Sequence, residues 1–277
     1  MSRSLLTLFL LLMTGPFLRA QVIGDLLQDE TVLYAETKQV NQFFRRFNSE
    51  EDGQGERLYE GDPAYRNNPI RKQSLPMVFD RETSSIPSGI QKEFISRVCN
   101  EKDPIYLDFH GGEWFAEVVV DVRYQGRDME ANLYLKLQEE EVGSKWVITR
   151  VFFEPFARKF FKDPEGVDKF LHPMSHELDF MNLAKVFRDE GQVEYYTYEQ
   201  YVPDFLSIFI YEMKMDRLSF NGVKKVNFHF FQVDGYYFKL EEFNRLSYNN
   251  GWLITQLEEI DPQEKKALIQ AIYHESK

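Results

Sequence analysis

Three side chains able to transfer protons crowd a pair of glycines near the middle of the chain. Asp108, His110 and Glu113 flank Gly111-Gly112, and a carboxylate beside a histidine is the minimum set for general acid–base catalysis. The interpretation that we favour is a turn whose polar side chains bond to nearby backbone groups. Asp108 and His110 stay as the alternative, a catalytic pair.

Two histidines further along have the spacing of metal ligands. His172 and His176 stand at i and i+4, but Pro173 and Ser175 between them indicate the start of a helix, so the two rings need not share a face. A third ligand is not close in sequence. The chain also lacks a glycine-rich phosphate loop, a nucleophile elbow and paired cysteines, so we expect no metal and no cofactor.

Residues 114–124 alternate as a strand with one apolar and one polar face. The even-numbered residues of this segment, among them Trp114, Val118 and Val122, form the apolar face. Glu117 and Asp121 therefore lie on the other face. The second half of the chain offers Asn227 and His229 at comparable positions. We interpret these four polar residues as solvated or partner-facing, and the alternative is a ligand-binding site.

An aromatic and basic segment, 152–162, stands out in an otherwise acidic chain. We expect its aromatic side chains to pack in a seam while its cations face water. The alternative is a partner-docking surface made by Phe156, Phe160 and Phe161.

The chain contains an internal repeat. Residues 93–98 (EFISRV) match 204–209 (DFLSIF), and 146–151 (WVITRV) match 252–257 (WLITQL), in the same order. Upstream, apolar residues at i, i+3, i+4 and i+7 occur twice, from Val40 to Phe47 and from Phe180 to Phe187. Matches that keep their order indicate a tandem duplication.

Each copy is predicted to contain two helices followed by antiparallel strands. The predicted boundaries are a first domain at 21–154 with a loop insertion at 53–89, a linker at 155–174, a second domain at 175–260 and a C-terminal helix at 261–277. Asp261 and Glu264 predict a capping box for that last helix. Residues 205–211 are β-prone and could form a strand, but their match to the more helical residues 93–98 favours a helix. Residues 105–109 are predicted to form a short strand.

This order of elements resembles the cone-shaped α+β folds called NTF2-like or cystatin-like. The whole chain looks like the tandem-domain exported proteins of Bacteroidetes-type bacteria. The resemblance implies a fold class of α+β with two domains. Each domain would have helices packed on a curved antiparallel sheet and a concave pocket between its sheet and its helix. It implies no reaction, because that fold hosts enzymes and binding modules alike.

The first twenty residues read as a secretory signal peptide. Arg3 precedes an apolar run at 5–13, and Gly15-Pro16 comes before a cleavage site expected between Ala20 and Gln21. The run is too short for a membrane span of roughly 20 residues, and an uncleaved interfacial anchor is the alternative. We expect export to a periplasm, or else a secreted or surface-associated protein.

The cysteine count and the net charge limit which disulfides and binding partners are possible. Cys99 is the single cysteine, which excludes an intramolecular disulfide. A net charge of −12 argues against nucleic acid and anionic membranes as partners. The sequence does not fix the oligomeric state.

Together these features favour a non-enzymatic binding or interaction protein, whose partner is an envelope protein or a small apolar ligand. The alternatives are a small-molecule enzyme with its acid–base pair in one cone, and a carbohydrate-binding protein. An enzyme predicts a deep pocket that holds a carboxylate or histidine with a shifted pKa. An interaction protein predicts shallow cavities and an exposed apolar patch.

Overall fold

The computed structural model describes residues 40–275, except for 142, 163–170, 172–182, 189, 199 and 248. The signal peptide, its cleavage site at Ala20 and Gln21, and the histidine pair His172 and His176 lie outside the described residues. Within the described part of the chain, no helix is long and apolar enough to cross a membrane.

The described strands form one antiparallel sheet in the order β3-β2-β1-β4-β5-β6. They are β1 (Trp114–Tyr124), β2 (Arg127–Glu140), β3 (Gly143–Phe152), β4 (Leu218–Phe230), β5 (Tyr236–Phe243) and β6 (Gly251–Glu259). The two predicted halves meet where β1 pairs with β4, with Val118 opposite Val226. The α+β class with an antiparallel sheet is confirmed. Because both halves share one sheet, their division into two tandem domains stays a prediction.

The described helices pack on both faces of this sheet. Residues 40–48 are helical (α1), and the later helices are α2 (Asn68–Ser74), α3 (Ser88–Val98), α4 (Glu154–Lys159), α5 (Leu183–Val186), α6 (Phe205–Lys214) and α7 (Pro262–Ile272), with 3₁₀ turns at Leu75–Val78 and Glu190–Tyr196. The β-prone segment is a helix, α6, whose N-cap Asp204 accepts a hydrogen bond from the Leu206 amide. The capping box of α7 is present as predicted.

The main core lies between the helices and the apolar side of the sheet. Alternate residues of β1 point into it, as the pattern predicted. Phe43 and Phe47 of α1, a helix of the first half, pack against Phe238 in the second half. Phe209 of α6, a helix of the second half, contacts Phe153 at the end of β3. The helices of each half therefore cover strands of the other half.

The predicted loop insertion at 53–89 contains regular secondary structure, namely helix α2 and the first 3₁₀ turn. Its last part covers the edge strand β6. Phe79 forms a parallel bridge with Ile254, and the Asp80 amide donates to the Ile254 carbonyl at 3.0 Å. The Phe79 ring also packs edge-on against Phe94 of α3. The insertion thus protects one edge of the sheet.

The strand predicted at 105–109 is absent. The side chain of Asn48 takes both backbone groups of Leu107, accepting from its amide and donating to its carbonyl, each at 2.8 Å. These groups are therefore satisfied without a strand partner.

A buried arginine joins the first-half helices. Arg71, which is fully buried, donates to the carbonyls of Phe47, Val98 and Ile105 at 2.7, 2.8 and 2.5 Å. Two of these carbonyls belong to the last turns of α1 and α3, where helix dipoles place negative partial charge. Carbonyls in the last turn of a helix have no hydrogen-bond donor within that helix. The guanidinium of Arg71 supplies a donor to one such carbonyl in each of the two helices.

A second, smaller core covers the opposite face of the sheet. Helix α7 lies there and packs its apolar side chains on four buried aromatic residues, Phe115, Tyr134, Phe231 and Tyr237. The Tyr134 hydroxyl donates to the Ile272 carbonyl at 2.5 Å. The C-terminal helix is therefore docked on the sheet.

Candidate functional site

Three of the four polar strand residues singled out from the sequence form one cluster. Glu117 on β1 accepts hydrogen bonds from Asn227 at 3.0 Å and Asn132 at 2.9 Å. The His229 Nε2 atom lies 3.1 Å from the same carboxylate, and its Nδ1 atom lies 2.9 Å from the Tyr237 hydroxyl. The register explains this meeting, because Asn227 lies opposite Glu117 on the paired strand β4.

The cluster holds an ionised carboxylate. Burial alone raises the pKa of Glu117, but hydrogen bonds from His229 and Asn227, the charge of His229 and a hydrogen bond from Asn132 outweigh it and bring the pKa to about 2. Burial raises the pKa of the Tyr237 hydroxyl well above its usual range. Both His229 nitrogens are occupied by protein groups, so the arrangement fixes the strands to each other.

One buried polar atom of the cluster lacks a hydrogen-bond partner among the described residues. Asn227 is buried, and its Oδ1 atom has no hydrogen-bond partner among the described residues. Asp121, the fourth residue predicted for a ligand site, does not join the cluster. It lies exposed further along β1, opposite Glu130 of β2.

The acid–base candidates at the glycine pair do not form a catalytic dyad. The Asp108 carboxylate accepts the His110 backbone amide at 2.9 Å, while the His110 ring lies 3.1 Å from the Ser144 hydroxyl. Glu113 pairs with Lys265 of α7 at 2.6 Å. Asp108, His110 and Glu113 are all exposed. The geometry is that of a turn with self-satisfied polar groups.

The three aromatic residues predicted to dock a partner have different surroundings. Phe156 is buried in the main core, and Phe160 packs against Phe205 of α6. Phe161 is 65% exposed. The segment therefore packs largely as a seam, and Phe161 is its exposed aromatic side chain.

An exposed apolar surface, which the sequence did not single out, lies on α6 and β3. We define the α6–β3 surface by Ile148, Leu206 and Ile210. Ile148 and Ile210 are each 44% exposed, and Leu206 is half-buried. The two elements pack against each other, and Phe209 of α6 contacts Phe153 just after β3, so the three side chains lie on adjoining elements.

The residues that the repeat places at equivalent positions are buried. Ile254 corresponds to Ile148 and is fully buried, and Cys99 corresponds to Ile210 and is 6% exposed. The sequence held a signal for this surface, because the predicted second copy lacks a counterpart of the insertion whose 3₁₀ turn packs against α3 and β6.

The cavities of the described residues are shallow and open. One lies at the turn between β2 and β3, around Glu141 and Ser144. The other, of about 390 Å³, lies between α7 and β3 and is lined in part by Arg150, Lys266 and Tyr273. Neither is lined by Glu117 or His229. No group of metal-ligating side chains occurs among the residues that were described.

Comparison with known proteins adds no assignment. No family model, curated protein or solved structure matches the chain. A role for the protein therefore has to be argued from its own residues.

Proposed function

We propose that this protein is a non-enzymatic interaction protein that binds a partner protein through the α6–β3 surface. The observation that carries the proposal is the contrast between Ile148 and Ile210, each 44% exposed, and their buried counterparts Ile254 and Cys99. Residues of similar type at equivalent positions differ in whether something covers them. A partner would supply that cover over α6 and β3.

The energetics favour occupation of this surface. Burying apolar area is worth roughly 25 cal/mol per Å², so side chains left about half exposed forgo part of the stabilisation that their counterparts have. Further apolar side chains of α6, Met213 and Tyr211, are exposed beside Ile210. Exposed apolar side chains grouped on one helix in this way are typical of interaction sites on soluble proteins.

The architecture that supports this proposal is a duplication. We infer two copies of an NTF2-like, cone-shaped unit that exchange their helices across one sheet. Helix α3 packs on β6, and helix α6 packs on β3. These two strands contain the matching segments that start at Trp252 and Trp146, and they form the two edges of the sheet. These correspondences are those expected for two related halves.

The site of action that we propose is the bacterial envelope. The sequence pattern of residues 1–20 supports export, and the partner would then be another envelope protein. Intact mass of protein from the native host tests this, since cleavage leaves Gln21 first. A mass that retains residues 1–20 contradicts a cleaved signal.

Affinity capture from native envelopes tests the proposed function. The double variant Ile210→Ser, Met213→Ser should lose a stoichiometric protein partner that the wild type retains. Ile70→Ser is the matched control, because Ile70 is also 44% exposed but lies on α2. Equal capture by all three proteins, or no stoichiometric partner for any, contradicts the proposal.

A further inference from the structure

The second half of the sheet shows what a cover for this fold looks like. The 3₁₀ turn Leu75–Val78 packs against both α3 and β6, and Leu75, Val78 and Phe79 are all buried. The extended residues after the turn follow the strand edge, where the Ser84 hydroxyl donates to the Thr255 carbonyl at 3.2 Å. A short segment thus fills the space between helix and strand and pairs with the edge.

Helix α6 and strand β3 form the corresponding pair at the other edge of the sheet, and no described segment pairs with the edge of β3. Residues 147–151 of β3 make no backbone hydrogen bond outside the sheet ladder to any described residue. They read Val-Ile-Thr-Arg-Val, and the β-branched residues among them favour strand pairing. An edge of this composition that no described residue pairs with is a template for another strand.

We infer that β3 and α6 bind a segment of a partner protein, a turn followed by an extended stretch, in the manner in which residues 75–80 bind β6 and α3. This inference rests on the proposed function and names its mode of recognition. The partner segment would carry apolar side chains spaced as Leu75, Val78 and Phe79 are. Strand addition of this kind draws affinity from backbone pairing and specificity from side-chain pockets.

Charge sets a further requirement for the partner segment. In the second half Asp80 follows Phe79, and its carboxylate accepts a hydrogen bond from Arg245 at 2.7 Å. Arg245 precedes Trp252 by the same distance as Glu139 precedes Trp146. Glu139 lies exposed near the end of β2, followed by Glu140 and Glu141. The hairpin that leads into β3 is therefore acidic, whereas the loop that leads into β6 supplies a base, so a partner with a cation after its aromatic residue fits the β3 edge.

Peptides copied from the insertion test this inference directly. The probes are a fluorescent peptide of residues 75–84, LPMVFDRETS, and the same peptide with Lys in place of its aspartate. We expect both to bind the full-length mature protein, the lysine peptide severalfold more tightly. Ile148→Asp should weaken binding at least tenfold, and Ile70→Asp should leave it unchanged. Circular dichroism checks that each variant is folded.

Hydrogen exchange on the wild-type protein supplies a readout that needs no variant. The bound peptide should slow amide exchange in 147–149 and leave 254–256 unchanged. Absence of binding, or binding that Ile148→Asp leaves intact, overturns the inference. So does a dimer that Ile148→Asp dissociates, because the occupant is then a second copy. Partner capture that still depends on Ile210 would show that only the strand-edge mode had failed.

Discussion

Two buried charged side chains are stabilised by different groups. Arg71 has three backbone carbonyls and the Phe47 ring around its guanidinium. Glu117 has His229 and two asparagine side chains. Neither is available to a ligand, since their bonds are made within the protein. At this scale the polar residues of the interior hold elements together.

Removing the guanidinium should destabilise the protein strongly. Arg71→Met leaves the carbonyls of Phe47, Val98 and Ile105 without a donor, and we expect a loss of about 3 to 5 kcal/mol in the free energy of unfolding. Lys72→Met, an exposed neighbour on the same helix, should change it by less than about 0.5 kcal/mol. Urea denaturation measures both, and equal values for the two variants contradict the role given to Arg71.

The Glu117 cluster should make stability depend on pH in acid. The pKa of Glu117 is about 2 in the folded protein against an ordinary value of 4.5. A lowered pKa adds stability that is present above pH 4.5 and is lost as the pH falls to about 2. Glu117→Gln should therefore cost about 3 kcal/mol at neutral pH, and the difference should shrink towards pH 2. The exposed residue Asp121, changed to Asn, serves as the control, and a pH-independent cost contradicts the account.

The elements show what local sequence patterns can predict. The capping box of α7 and the alternating burial of β1 could be predicted, because each depends on residues that are close together in the sequence. The missing strand at 105–109 and the order within 53–89 were not readable. Asn48 and Ile254, the residues that decide those two segments, lie far away in sequence.

The insertion should contribute measurably as the cover of β6. Phe79→Ala removes a buried ring that contacts Phe94 and lies on Ile254, and we expect a loss of about 3 to 5 kcal/mol in unfolding free energy. Met77→Ala, close by but 46% exposed, should cost little. Thermal and urea unfolding measure both changes. A cost for Phe79→Ala no greater than for Met77→Ala would show that the insertion does not cover the strand.

At the scale of the molecule, the two halves depend on each other. The repeat in the sequence predicted related halves, but not that β1 would pair with β4 or that α1 would cover β5. Pairing between distant segments leaves little trace in local periodicity. That same pairing brings together Glu117, Asn227 and His229, three of the four polar strand residues singled out from the sequence. The α6–β3 surface, in contrast, is recognised by the exposure of its apolar side chains.

Because the halves share one sheet and one core, they should unfold together. Native-state hydrogen exchange should give the slowest amides of β2 and β5 the same opening free energy, equal to that of global unfolding. Phe79→Ala should lower both values equally. Two different opening free energies, with only β5 responding to Phe79→Ala, would show that the halves are independent domains.

Site-specific photo-crosslinking in native envelopes tests the central claim most directly. A photoreactive residue at position 210 or 148 should form a crosslink to one and the same partner protein. The same residue at position 70 or 77, positions of comparable exposure, should not. Crosslinks of equal yield at all four positions, or none at 210 and 148, would contradict the claim that the α6–β3 surface binds a partner.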